Sequence, residues 1–263
     1  MKAIGVFDSG VGGLTVVKEL MRQLPGEDII YFGDTARVPY GTKSKETVIR
    51  FSIEDILFLL KHKVKLICVA CNTASSVALP MIKNNFRVPL VGVITAAVKE
   101  AASATRNNRI GVIGTKGTIN SRTYEREIAQ LDPKIKVTSV ACPLFVPFVE
   151  EGWLRGKVVL DVARIYLKPL KKSRVDTVIL GCTHYPLLKP VIQEVLGQKV
   201  TLIDSAQQVS LEIKNILEAQ GLLNKGRRGR HQFYVSDNPE WFSGLAKRFL
   251  GEPVKDVKQT HDV

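Results

Sequence analysis

The chain has 263 residues, 45% of them hydrophobic, with 38 Lys and Arg against 25 Asp and Glu, a formal net charge of +13. That composition excludes a disordered chain and allows one large domain or two small ones, each with its own core. No apolar run reaches the roughly 18 residues of a membrane span. Met1 to Phe7 run straight into a strand-like stretch rather than a secretory leader, so the expected compartment is the cytoplasm.

Short apolar, β-branched runs alternate with longer amphipathic ones. A strand over 3–7 leads to a helix over 13–24, 28–33 to 44–62, 64–70 to 73–86 and 90–93 to 95–104. The pattern continues with 109–114 and 118–131, 135–141 and 156–172, 174–181 and 188–196, 200–203 and 205–220, and 231–236 and 238–250. Apolar strands alternating with helices predict an α/β fold whose mostly parallel strands are buried on both faces.

An internal repeat runs through this pattern. Ile4-Gly5-Val6-Phe7-Asp8-Ser9-Gly10 is echoed by Ile110-Gly111-Val112-Ile113-Gly114-Thr115, an offset of 110 − 4 = 106. Val69-Ala70-Cys71-Asn72-Thr73 is echoed by Leu180-Gly181-Cys182-Thr183-His184, an offset of 182 − 71 = 111. Ligands of open parallel sheets bind at the carboxyl ends of strands, where both cysteine turns fall. Two facing halves would bring them to one cleft.

Each of these cysteines follows a buried strand and precedes a helix, with Asn72, Thr73 and Thr183 as N-cap candidates and Pro186 in a first turn. A helix N-terminus stabilises a thiolate, and its free N–H groups bind carboxylates. A lone cysteine of this kind reads as core. Two in equivalent turns, each beside hydroxyl, amide or imidazole groups, read as an acid/base pair. Cys68, inside a strand, and Cys142, among apolar neighbours, read as core. Cys68 and Cys71 match C-x-x-C in form only: their positions differ in parity and point to opposite faces of a strand. There is no second pair to complete a zinc site, so no metal is expected. Four sparse cysteines in apolar surroundings are expected to be reduced.

Other polar groups are more ambiguous. Asp8-Ser9-Gly10-Val11-Gly12-Gly13 is a turn after the first strand but not a nucleotide fingerprint. Asp8 fits either a substrate ammonium and proton relay or a turn aspartate. Tyr40-Gly41 offers backbone and phenol groups to a ligand, or is a plain loop. His184 shuttles a proton near Cys182, or caps a helix. Glu150 is an acid in apolar company, functional or merely an exposed helix end. The basic run Lys225-Gly226-Arg227-Arg228-Gly229-Arg230 reads as a solvated loop ahead of a nucleic-acid patch, with no nucleic-acid-binding motif beside it.

Four of these motifs together resemble the glutamate racemase family: Phe7 to Leu14, Gly33-Asp34-Thr35 to Pro39-Tyr40-Gly41, Cys71-Asn72-Thr73-Ala74-Ser75, and Gly181-Cys182-Thr183-His184-Tyr185-Pro186-Leu187. The resemblance spans essentially the whole chain. The related aspartate racemases typically carry Glu where His184 stands here. The resemblance implies two pseudo-symmetric three-layer α/β domains, 1–95 plus 205–263 and 96–204, with the active site between them. It implies a cofactor-independent racemase in which Cys71 acts on D-glutamate and Cys182 on L-glutamate. Asp8 would assist Cys71, and Glu150 and His184 would assist Cys182, with Glu151 a rival for the acid. Ser9, Tyr40, Gly41, Asn72, Thr73, Thr115, Thr118 and Thr183 map onto substrate-binding positions, together with Asp8 and His184. It implies D-glutamate for peptidoglycan synthesis, and a homodimer is expected. The +13 departs from the family and leaves an anionic partner open. The alternatives are aspartate racemisation, or a non-catalytic binder of acidic amino acids or nucleic acid.

Overall fold

The computed structural model describes residues 2–261 other than 225 and 227, so Lys225 and Arg227 of the basic run lie outside the described residues. The first stretch of chain forms β1 (Ile4–Asp8), α1 (Leu14–Gln23), β2 (Ile29–Gly33), α2 (Lys45–Lys61), β3 (Leu66–Val69), α3 (Asn72–Val77), α4 (Leu79–Ile82), β4 (Leu90–Gly92) and α5 (Val93–Ala104). The second forms β5 (Arg109–Gly114), α6 (Lys116–Asn120), α7 (Thr123–Leu131), β6 (Lys136–Ala141), α8 (Phe145–Glu150), α9 (Lys157–Lys172), β7 (Thr177–Gly181), α10 (Lys189–Leu196), β8 (Thr201–Asp204) and α11 (Ser205–Ala219). Then come β9 (His231–Val235), α12 (Pro239–Leu250) and the two-residue β10 (Lys258–Gln259). No helix among the described residues is long and apolar enough to cross a membrane.

All paired strands are parallel, in two sheets of order β10-β9-β2-β1-β3-β4 and β6-β5-β7-β8. The shared order is informative: β2-β1-β3-β4 in one sheet repeats as β6-β5-β7-β8 in the other. Cys71 and Cys182 therefore follow the third strand of each repeat, beside the first. In the larger sheet, strand parity divides the core. Ile4, Val6, Leu66 and Cys68 join one apolar cluster, while Phe7, Ile67, Val69 and Cys71 join another beneath α2. The first cluster continues through α1, α5 and α11 into the smaller sheet, so the halves share an apolar contact as well as a cleft.

Three departures from the sequence reading bear on the site. The helix expected over 73–86 breaks at Ala78, with Pro80 in the first turn of α4. A proline there cannot bond back to the carbonyl of Ser76, which instead accepts the Thr123 hydroxyl at 2.8 Å from the other half. The helix expected over 118–131 is two helices, α6 and α7, separated by Arg122 at φ 53°. α8 was not among the predicted helices, although a helix end at Glu150 was one reading of that residue. Its Pro147 lies in the first turn, where a missing N–H costs nothing.

Candidate active site

β1 and β3 run side by side, with Phe7 opposite Val69, so the turns bearing Asp8, Ser9 and Cys71 emerge together. In the other sheet Gly114 lies opposite Gly181, which brings Thr115 beside Cys182. The halves meet at these turns. A Cβ on Gly12 would fall 2.2 Å from the Thr183 hydroxyl and 2.4 Å from His184 Nδ1, so only glycine permits this approach. A Cβ on Gly41 would lie 2.6 Å from that of Thr115. The Thr15 hydroxyl donates to the Thr183 carbonyl at 3.1 Å. Thr73, Thr115 and Thr118 form a hydroxyl cluster across the cleft, at 2.9 Å, 3.1 Å and 3.3 Å. Every one of these contacts falls at a residue read from the sequence as part of the site, or next to one.

The two thiols are both buried, at 5% and 6% exposure, but their neighbours differ. Cys71 Sγ donates to the Ser9 hydroxyl at 3.6 Å. Cys71 is itself the N-cap of α3, in place of the expected Asn72 or Thr73. Burial and the Asp8 carboxylate push the Cys71 thiol up to about 12, against the opposing N–H of Ala74 and the Ser9 hydroxyl. The helix start is therefore outweighed: Cys71 rests as a protonated thiol. Burial also lifts the Asp8 carboxyl, while His184, the N–H groups of Gly13 and Gly10, and the Thr183 hydroxyl hold it down. Asp8 accepts from Gly10 N at 3.0 Å and from Thr183 Oγ1 at 3.5 Å, so this carboxylate links the turn after β1 to the Cys182 turn.

Cys182 Sγ lies 3.9 Å from His184 Nδ1, and His184 Nε2 lies 3.1 Å from Glu150 Oε1. Burial disfavours the imidazolium, but the Cys182 sulfur and the Glu150 carboxylate more than offset it and raise His184 to about 10. Of the two adjacent acids, Glu150 reaches the histidine, and Glu151 is exposed. The turn after Cys182 is 3₁₀, Tyr185–Leu188, with Pro186 in its first turn as expected, and α10 follows it. Cys68 and Cys142 are buried in the apolar core, and burial raises both thiols.

Tyr40 is a correction. Its hydroxyl is not turned to a ligand but is held between Asp34 and Asp55, both fully buried and both also bonded to Arg37. What the Tyr40-Gly41 turn offers the cleft is backbone. Three further groups had no signal in the sequence. Asp55 sits mid-helix in α2 and Tyr124 is the second residue of α7, and in the sequence both read as ordinary helix residues. Arg248, on α12, donates to the carbonyls of Val149 and Glu150 at the end of α8. Phe249 beside it packs edge-on to the His184 ring, with centroids 5.3 Å apart. The C-terminal helix thus braces the Glu150–His184 pair.

The family model for Asp/Glu/Hydantoin racemase matches residues 4–209. A glutamate racemase from Geobacter metallireducens is 52% identical over 259 residues, 98% of this chain and 96% of its own. The crystal structure of the glutamate racemase isoform RacE1 from Bacillus anthracis superposes with a TM-score of 0.95 at 41% identity, covering 98% of this chain and 97% of that one. A Francisella tularensis glutamate racemase, solved in complex with D-glutamate, superposes with a TM-score of 0.94 at 42% identity, covering 99% of this chain and 98% of that one. With the paired thiol turns at the meeting of two repeated sheets, these similarities show that the chain belongs to the Asp/Glu/Hydantoin racemase family, among its glutamate racemases.

Proposed function

We propose that this chain interconverts L- and D-glutamate without a cofactor, using Cys71 and Cys182 as two bases on opposite faces of the substrate. The observation that carries the reading is the pair of buried thiols ending the third strands of two sheets of the same strand order, each with its own polar partner, Ser9 for Cys71 and His184 for Cys182. Inversion at Cα removes a proton from one face and adds one to the other. A single base would have to cross the carbon or exchange its proton with water, and two fixed groups avoid both. The residues 1–95 with 205–263, and 96–204, serve as the two domains, one thiol in each.

From L-glutamate, Cys182 acts as thiolate and takes the Cα proton. The C–H electron pair moves toward the α-carboxylate, and Cys71 delivers its thiol proton to the other face. The protonation states favoured at rest suit this order: a cationic His184 beside Cys182, and a Cys71 thiol held protonated. The product leaves Cys182 protonated and Cys71 ionised, which is the form that accepts D-glutamate. Asp8, between the turns, holds the substrate ammonium. N–H and hydroxyl groups of Ser9, Gly41, Asn72, Thr73, Thr115, Thr118 and Thr183 hold the two carboxylates, where negative charge grows in the transition state. Asp8, Asn72, Thr73, Thr118 and Thr183 are buried with the two thiols, so their contacts act with reduced screening by water.

A cytoplasmic homodimer supplying D-glutamate for peptidoglycan completes the reading, with the family's usual role as its support. The test is incubation of purified protein with L-glutamate and no added cofactor, followed by chiral analysis. The mixture should approach equal amounts of both enantiomers, with L-aspartate reacting poorly. Equal kcat/KM for both amino acids would remove the glutamate-specific claim. Racemisation of aspartate alone would move the substrate to the smaller dicarboxylate.

A further inference from the structure

Tyr124 belongs to α7, in the half that bears Cys182, yet its hydroxyl donates to Asn72 Oδ1 at 2.7 Å, the residue next to Cys71. Its ring lies against the other turn: a Cβ on Gly181, the residue before Cys182, would meet Tyr124 Cε2 at 3.2 Å. One side chain therefore spans the two thiol turns. Tyr124 and Asn72 are 1% and 3% exposed. Burial raises the Tyr124 phenol, with the Ser205 hydroxyl opposing, so the phenol is a donor throughout the neutral range.

The consequence falls on Asn72. A carboxamide has a donor edge and an acceptor edge, and a half-turn exchanges them. Because Tyr124 donates, Asn72 must present its oxygen to the phenol and its NH₂ elsewhere. That Nδ2 is buried and has no hydrogen-bond partner among the described residues. An unpaired buried donor costs roughly as much as a lost hydrogen bond, and Asn72 shares the walls of a small cavity with Cys182 and Thr183. An acceptor arriving between the thiols satisfies it.

We propose that Tyr124 is a positioning residue that locks the Asn72 carboxamide with its NH₂ edge toward the substrate, so that Asn72 receives a carboxylate oxygen. This rests on the racemase reading and on Asn72 as a substrate contact. It also gives one residue a hold on both cysteine turns, which keeps the donor in register with the carbon placed between the sulfurs.

The test is a double-variant cycle on the full-length protein, with kcat and KM for both enantiomers and a thermal melt for each variant. Tyr124→Phe keeps the ring on Gly181 and removes only the hydroxyl. It is expected to lower kcat/KM roughly ten- to hundred-fold, mostly through KM, because the freed amide turns away from the substrate. In an Asn72→Ala background the same change should cost nothing further in kcat/KM. A merely structural tyrosine would cost the same in both backgrounds. Asn72→Asp, which sets a carboxylate where a donor is needed, should prevent saturation by either enantiomer. If Asn72→Ala lowers kcat/KM but Tyr124→Phe does not, the proposal fails and the substrate contact stands. If Asn72→Ala leaves kcat/KM unchanged, the contact itself is wrong and the proposal falls with it. Normal KM in Asn72→Asp also overturns it.

Discussion

Cys71 and Cys182 end equivalent strands of a repeated order, yet Cys71 faces a carboxylate and a serine hydroxyl while Cys182 faces a histidine backed by a glutamate. The repeat places the sulfurs symmetrically, and the turn residues around them differ. Burial and the Asp8 carboxylate raise the Cys71 thiol, while beside Cys182 the raised His184 stands as a cation. Enantiomers have equal free energies in water, so the ratio of kcat/KM for the two directions must stay at unity in every variant. The asymmetry of the halves is visible only in how each step limits the rate.

The largest effect that tests this comparison is loss of either sulfur. Cys71→Ser and Cys182→Ser should each lower kcat in both directions by at least ~10²–10⁴-fold, since each thiol acts once per turnover whichever way it runs. Cys68→Ser and Cys142→Ser should cost stability alone, measured by urea midpoint. A folded but inactive Cys142→Ser would undo the assignment.

A smaller effect separates the two sides. Glu150→Gln withdraws the carboxylate from His184 and should lower kcat/KM roughly ten- to hundred-fold, the worth of a hydrogen bond to a charged group. Glu151→Gln should change nothing. The side affected is read with α-deuterated substrates. In Glu150→Gln the primary isotope effect on kcat/KM should rise for L-glutamate and fall for D-glutamate, because abstraction by Cys182 becomes the slower step. Equal movement in both would mean that Glu150 serves the two thiols alike. Arg248→Ala, which frees the end of α8, should show the same sign with a drop of only about two- to ten-fold.

The comparison also accounts for what the sequence made legible. Strand and cysteine positions were readable because parallel buried strands are apolar and the repeat marks their ends. The Cys71 and Cys182 turns, Asp8 and His184 stand at those ends and carry chemistry in their residue types. Tyr124, Asp55 and Arg248 were hidden because each acts through a partner distant in sequence, Tyr124 with Asn72 and Arg248 with Glu150 among them. The breaks at Ala78 and Arg122 were missed because the carbonyl freed by Pro80 finds Thr123 only in three dimensions. Tyr40 was misread for a related reason: a phenol beside a glycine looks available until Asp34 and Asp55 come together around it.

The smallest effect concerns stability. His184 is raised from 6.5 to about 10 in the fold, opposed by burial and supported by Cys182 and Glu150. A raised histidine contributes stability that is full below pH 6.5 and is lost as pH rises through about 10. The urea midpoint should therefore fall across that window, and His184→Gln should flatten the decline. An unchanged slope in the variant would show that His184 is not the group held protonated.

The central claim is that two bases divide the faces of one carbon, and solvent labelling tests it most directly. With L-glutamate in D₂O at early time points, Cys182 removes a proton and Cys71, exchanged with solvent, delivers a deuteron. The D-glutamate formed should carry deuterium at Cα from the first samples, while the remaining L-glutamate keeps its protium. Deuterium appearing equally in both enantiomers, or protium carried from substrate into product, would mean a single base and would contradict the account.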